Sequence, residues 1–347
     1  MNAQTMRSRL KTLLPWLVAI GIFTYLFHVY PPHKIWDSLQ YVRLGTFIPF
    51  VLGYFVFIYL ADVFAITRVL KRFGFDVPMK SLLPARGVTY LIMVLNYGAA
   101  QAGFAYYLKK THRIPIWEAL SIFFFIAVID LYWVISLAFA GSFFQDYIVG
   151  GTTLRNFVWV LALTAYLLFI LNYLFWRGPL YQKLEQKNWR LLQWIRKKDI
   201  FRLFKEADLR DYFKLALLRT PIHVSLIISM FIVLRSFNVF IPFLKILGNM
   251  PLVFLVGTIP ITPGGLGTAN VATVELLTPY LKSPLFNGGL VDPAELLFAA
   301  TLLWMFSNYL LKIIFGVFCL KGVSKDLFQS TPQMEEQASS LGQNLPL

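Results

Sequence analysis

The chain is 347 residues long, 58% hydrophobic and 17% aromatic, yet only 14% charged. Soluble domains carry about 25% charge, and a packed core does not need uncharged apolar runs such as residues 157–176 and 296–311. Runs of that length match the ~20 residues that cross ~30 Å of hydrocarbon, so the composition excludes an ordinary soluble enzyme and predicts an all-α polytopic membrane protein. A net charge of +15 would point to nucleic acid in a soluble chain. Here the bases gather at the ends of apolar segments, where topology accounts for them, and no nucleic-acid partner is expected. The single cysteine, Cys319, sits in an apolar run and reads as a small buried hydrophobe.

The first apolar run, residues 13–30, follows Arg7, Arg9 and Lys11 and ends in Tyr30-Pro31-Pro32 instead of a small-residue cleavage site. It reads as a retained span with its N-terminus inside. Residues 33–45 alternate Trp36, Leu39 and Val42 with polar side chains, the pattern of an amphipathic helix on the outer surface. A second span, 46–70, returns the chain to Arg68, Lys71 and Arg72. The next apolar stretch, 82–108, has Lys80 and Arg86 at one end and Lys109, Lys110 and Arg113 at the other. Crossing the bilayer would leave one basic cluster outside, against the positive-inside rule. Its middle, Asn96-Tyr97-Gly98-Ala99-Ala100-Gln101-Ala102-Gly103, is a poor helix former. Both observations predict a re-entrant hairpin that enters and leaves by the cytoplasmic face, its broken backbone satisfied by protein or a wet cavity.

Spans at 115–140 and 155–176 follow, joined by an outer loop containing Gly150-Gly151. Residues 177–214 hold 11 Lys/Arg and 5 Asp/Glu, with Leu184, Leu191, Ile195 and Leu203 at roughly helical spacing. This reads as a cytoplasmic basic amphipathic connection, either a solvated topology anchor or a surface for anionic headgroups. A span at 215–237 bends near Pro221. The stretch 250–280 is centred on Ile259-Pro260-Ile261-Thr262-Pro263-Gly264-Gly265-Leu266-Gly267, which cannot continue a helix. Its flanks carry only Lys245 and Lys282, so both ends can stay outside, and a second re-entrant hairpin is expected. The last span, 293–320, ends at Lys321 and Lys325, and a polar, disordered tail from 326 is expected.

This assignment puts 24 basic residues on inner segments against six on outer ones, with Arg219 and Lys312 each within snorkelling distance of the inner surface. It gives six full spans, two hairpins (eight hydrophobic segments) and cytoplasmic termini in one integral membrane domain, 1–325. Segments 46–140 and 215–320 then form an inverted-topology repeat, an arrangement that recurs in secondary transporters. Two hairpins meeting near the midplane would pool broken backbone and helix N-termini, a surface suited to an anionic headgroup. The bland alternative is two packed full helices with glycine contacts.

The nine residues from Ile259 to Gly267 resemble the signature of the lysylphosphatidylglycerol synthase transmembrane family. The likeness extends over nearly the whole chain through the segment from Arg68 to Gly74, the break at Asn96–Gly103 and Asp130. It implies a flippase-like fold that moves a lipid or lipid-linked headgroup between leaflets of a cell inner (plasma) membrane. The chain departs from the family pattern at Asn270, where many relatives carry glutamate, and has Gln101, Tyr106 and Lys109 where acidic and arginine residues are frequent. The aminoacyl-transferring domain of the synthases is not expected in a chain whose polar stretches stay under about 40 residues.

Asp130, more than a dozen residues into its span, is an intramembrane carboxylate and so a functional candidate by default: a proton relay, a partner for a basic headgroup, or only an interhelix hydrogen bond. Asp62 reads as a structural interhelix contact and His223 as a packed neutral side chain. Asn96, Gln101, Thr262, Asn270 and Glu275 join Gly98, Pro263, Gly264, Gly265 and Gly267 as the expected substrate-binding set, the amides equally able to cap helix ends. No catalytic motif, metal-ligand spacing or nucleotide-binding loop is present, and no cofactor is expected. The energy source is then an ion gradient or downhill exchange. Membrane lipids, as anionic, polyprenyl or phospholipid headgroups, are the expected partners. A non-transporting subunit beside a lipid-biosynthesis enzyme, or an intramembrane lipid-modifying enzyme, remains the alternative.

Overall fold

A computed structural model describes residues 17–329 apart from 146, 150–151, 179–198, 260–261, 263–264 and 288, and it is helical almost throughout. In chain order the helices are α1 (Leu17–Val29), α2 (Pro32–Leu39), α3 (Leu44–Arg72), α4 (Met79–Leu95), α5 (Tyr97–His112), α6 (Ile116–Gly141) and α7 (Leu154–Arg177). A short α8 (Arg202–Glu206) precedes α9 (Leu209–Ser236), α10 (Phe243–Thr258), α11 (Thr268–Leu277) and α12 (Pro293–Gln329). A two-stranded turn, β1 (Ile148–Val149) against β2 (Thr152–Thr153), links α6 to α7.

Among the described residues, five helices are long and apolar enough to cross a bilayer: α3, α6 with the turn that follows it, α7, α9 and the first part of α12. The chain is therefore a multi-pass membrane protein. The sixth expected span is represented by α1, whose described part covers about 20 Å at 1.5 Å per residue; residues 13–16 lie outside the described part. The amphipathic segment is α2, which starts with Pro32 in its first turn, buries Ile35 and Ser38 and exposes Trp36. The fifth span starts at Leu209, earlier than the 215 expected, because the Asp208 amide donates to Asp211 Oδ2 at 3.0 Å and closes the first turn. Residues 209–214 thus belong to a span and not to the basic connection, of which 179–198 lie outside the described residues, as do Gly150, Gly151 and the tail from 330.

The chain divides into two compact units whose boundaries fall inside α3, α6 and α12. The first comprises Met1–Asp62, Ile126–Asn188 and Ala207–Leu310. In it α10 and α11 form a helix–break–helix hairpin over residues 259–267. Its two ends are tied together: Phe240 and Lys282 exchange both backbone hydrogen bonds at 2.8 Å, and Lys245 Nζ stands 5.0 Å from the Tyr280 ring centre. Arg43 N donates to Ser236 O at 2.7 Å, joining α3 to the end of α9. Lys34 pairs with Glu295 at 2.6 Å and docks α2 on the start of α12. That carboxylate holds the Lys34 ammonium above the usual lysine range.

The second unit comprises Val63–Phe125, Trp189–Glu206 and Leu311–Leu347. Here α4 and α5 fold back on each other at Asn96, whose extended backbone ends one helix and starts the next. Tyr107 Oη donates to Ser81 O at 3.1 Å, and Ser81 Oγ lies 3.3 Å from His112 Nε2. The start of α4 therefore lies beside the end of α5. The later part of α12 packs closely on α4: a Cβ on Gly316 would stand 2.5 Å from Leu91 Cβ, and one on Gly87 would collide with Cys319 Sγ. Phe104, fully buried on α5, stacks on Phe123 of α6 at 5.3 Å. Arg202 pairs with Glu118 and Glu206, and Leu203 N donates to Ser121 Oγ at 3.3 Å, so α8 is seated on α6.

Candidate functional site

Three apolar helices of the first unit each carry ionisable side chains to one point. Asp62 comes from α3, Asp130 from α6, and Arg219 and His223 from α9, four residues apart and so on one helix face. The Arg219 fork reaches Asp130 through Nε–Oδ1 at 2.8 Å and Nη2–Oδ2 at 2.7 Å, while Nη1 reaches Asp62 Oδ1 at 2.6 Å. His223 Nε2 lies 3.0 Å from Asp130 Oδ1. Bidentate pairing of this kind is among the strongest charge-assisted geometries, and only a guanidinium supplies donors for both carboxylates in one plane.

Burial gives the arrangement its weight. The side chains of Asp62, Arg219 and His223 keep only 7%, 10% and 8% of their surface exposed, whereas that of Asp130 keeps 22%. A charged side chain at the centre of a membrane helix costs at least about 2.5–3.5 kcal/mol, so these groups persist there only because they pair. Two expectations are corrected. Arg219 does not snorkel to the inner surface, since it lies ten residues into a helix that begins at Leu209 and both its partners sit inside spans. Nor is His223 merely packed, because it is hydrogen-bonded to the Asp130 carboxylate. Asp62 does make the interhelix contact expected of it.

In the second hairpin the break is held by short polar side chains. Thr268 Oγ1 donates to Gly265 O at 3.2 Å and lies 3.3 Å from Oγ1 of the buried Thr262. Asn270 Oδ1 accepts from Gly267 N at 3.3 Å, and its Nδ2 donates to Thr301 Oγ1 of α12 at 2.9 Å. Asn270 is thus a buried cap and tie whose amide is engaged at both ends. Gly265 and Gly267 have φ of +74° and +81°, which fits their expected role in permitting the turn. Glu275 is exposed on α11, and Pro263 and Gly264 lie outside the described residues.

In the first hairpin Asn96 Oδ1 accepts from Ala99 N at 2.8 Å, the capping role, with Gly98 exposed beside it. Gln101 Oε1 accepts from Arg86 Nη1 at 3.3 Å. Arg86 was expected to mark the basic end of this segment. It is instead buried in the middle of α4, its guanidinium 5.4 Å from the ring centres of both Tyr90 and Phe104. Aromatic faces and an amide acceptor let a cation sit there.

A model of the family described as lysylphosphatidylglycerol synthase TM region matches residues 12–316. No curated protein and no solved structure matches the chain.

Proposed function

The chain belongs to the lysylphosphatidylglycerol synthase transmembrane-region family, and on that premise we propose that it moves a lipid or lipid-linked headgroup between membrane leaflets by alternating access. The observation that supports this reading is the pair of helix–break–helix hairpins. One gathers Lys80, Lys109 and Lys110 at its joined ends; the other carries one lysine at each end, Lys245 and Lys282. By the positive-inside rule the first enters from the cytoplasmic side and the second from the opposite side. Broken helices entering from opposite faces are how transporters bring unpaired backbone amides to a polar cargo. The cargo is an anionic phospholipid or polyprenyl-type headgroup, the membrane is a cell inner (plasma) membrane, and both termini face the cytoplasm. The protein acts as a carrier without covalent chemistry.

Two measurements test this. With Cys319 replaced by alanine, single cysteines at Lys80 and Lys109 are expected to react with an impermeant maleimide from the cytoplasmic side, and those at Lys245 and Lys282 from the other. Labelling of either pair from opposite faces would remove the re-entrant arrangement. In proteoliposomes, a fluorescent anionic phospholipid is expected to change leaflets faster than in protein-free vesicles. Asp130→Asn or Gly265→Leu should lower that rate at least about tenfold, the loss expected when a pre-organised site is disturbed. Unchanged transfer by both variants, or none by the wild type, overturns the reading; covalently altered lipid by mass analysis would mark an enzyme instead.

A further inference from the structure

Asp62, Asp130, Arg219 and His223 set two carboxylates against one guanidinium on helices that are otherwise apolar. With a neutral imidazole the group carries one negative charge in excess; with an imidazolium it is neutral. We propose that this cluster is a proton-binding site, in which His223 takes up the proton and Asp130 holds the resulting imidazolium.

The geometry assigns the atom. Nε2 faces Asp130 Oδ1 at 3.0 Å, and since an ionised carboxylate only accepts, Nε2 carries hydrogen in both protonation states. The added proton therefore goes to Nδ1. That atom is buried and has no hydrogen-bond partner among the described residues, so a proton arrives there without displacing an existing bond. One N–H bond forms at Nδ1 and one O–H bond breaks in the hydronium ion that delivers it. The Asp130 carboxylate is 22% exposed, whereas the Asp62 and Arg219 side chains keep only 7% and 10%. The groups that bear on the imidazole are Asp130 from α6, Arg219 one turn away on α9, and Asp62 of α3 through Arg219. Arginine does not deprotonate in proteins, and its guanidinium donates to both carboxylates. Histidine is the member that ordinarily changes charge near neutral pH.

Proton occupancy also changes what ties the helices. Arg219 Nε and His223 Nε2 share the same acceptor, Asp130 Oδ1, at 2.8 and 3.0 Å. An imidazolium makes the stronger, charge-assisted bond and competes with Arg219 for that oxygen. Use of this change to drive cargo movement rests on the transport reading above; the binding itself does not.

The test is nitrogen NMR of the full chain, labelled with ¹⁵N-histidine, in detergent or nanodiscs from about pH 8 to about pH 5, the range in which histidine titrates. His223→Gln identifies the signal among the four histidines. The His223 ring is expected to pass from the neutral Nε2–H form to the imidazolium. Asp130→Asn is expected to lower its proton affinity at least about tenfold, since the opposite charge is gone. A ring fixed in one state across the range overturns the proposal, as does an unchanged titration in Asp130→Asn. A ring that responds to sodium chloride in place of choline chloride, and not to pH, makes the site a sodium site and also overturns it. The wild-type titration decides the matter even where a variant does not fold. Because the readout is a chemical shift and not lipid movement, its failure is separable from failure of the transport reading.

Discussion

Replacing Arg219 with methionine is expected to lower stability by about 3–5 kcal/mol, the range seen when one partner of a buried ion pair is removed and the other charge is stranded. Two carboxylates lose their guanidinium here. Asp62 loses its 2.6 Å bond to Nη1, and Asp130 loses both bonds of the fork and keeps only His223. Lysine is expected to fall short as well, because one ammonium does not reach both carboxylates in the plane that the guanidinium uses. Methionine fills much of the same volume, so the loss reports charge and not packing. Thermal unfolding of the detergent-solubilised protein measures it. Adding Asp62→Asn and Asp130→Asn to Arg219→Met is expected to recover most of the loss, since neutral amides no longer need a counter-charge. An Arg219→Met protein that unfolds at the wild-type temperature would show that α3, α6 and α9 are not held by this cluster.

The long spans were legible because an apolar run of about 20 residues has few other uses. Both helix breaks were legible from residues that do not continue a helix, Asn96-Tyr97-Gly98 in one stretch and Pro263-Gly264-Gly265 in the other. Asp130 stood out as a carboxylate in hydrocarbon. Its partner did not, because Arg219 was placed by its distance from the basic connection, and that distance depended on where α9 starts. The start is set by Asp208 and Asp211, local residues that could have been read as a cap. Pairing is harder to read: Asp62 and Arg219 are 157 residues apart, and no local pattern joins them. The available signal was the four-residue spacing of Arg219 and His223, two polar groups on one face of an apolar helix, with Asp62 inside α3 and Asp130 inside α6 awaiting partners. Arg86 was misplaced for the same reason, since a base near a helix end looks like an anchor until the Tyr90 and Phe104 rings that cover it are known.

At the second hairpin, Gly267→Ala is expected to lower stability by about 2–4 kcal/mol, from two separable causes. The backbone at Gly267 has φ +81° and ψ −48°, close to the strained γ-turn that residues with a Cβ avoid. A Cβ there would also stand 2.6 Å from Cγ2 and 3.3 Å from Cβ of Ile22. Ile22 belongs to α1, and a β-branched side chain in a helix has essentially one rotamer, so it has no alternative position to swing to. Truncating the neighbour separates the causes: in Gly267→Ala with Ile22→Ala the collision is gone and the backbone strain remains, so about 1–2 kcal/mol of the loss should persist relative to Ile22→Ala alone. Gly265→Ala is the companion case, with φ +74° and the added Cβ 2.9 Å from both Cα and O of Gly257, backbone atoms that move only with α10 itself. Gly98→Ala is the control. Its nearest neighbour is 3.4 Å away and its φ is ordinary, so the methyl should be neutral or stabilise α5 by up to about 1 kcal/mol. Thermal unfolding of the five variants beside wild type gives the ranking. Equal tolerance at Gly98, Gly265 and Gly267 would mean that the break does not depend on its glycines, and with that the second hairpin would lose its physical basis.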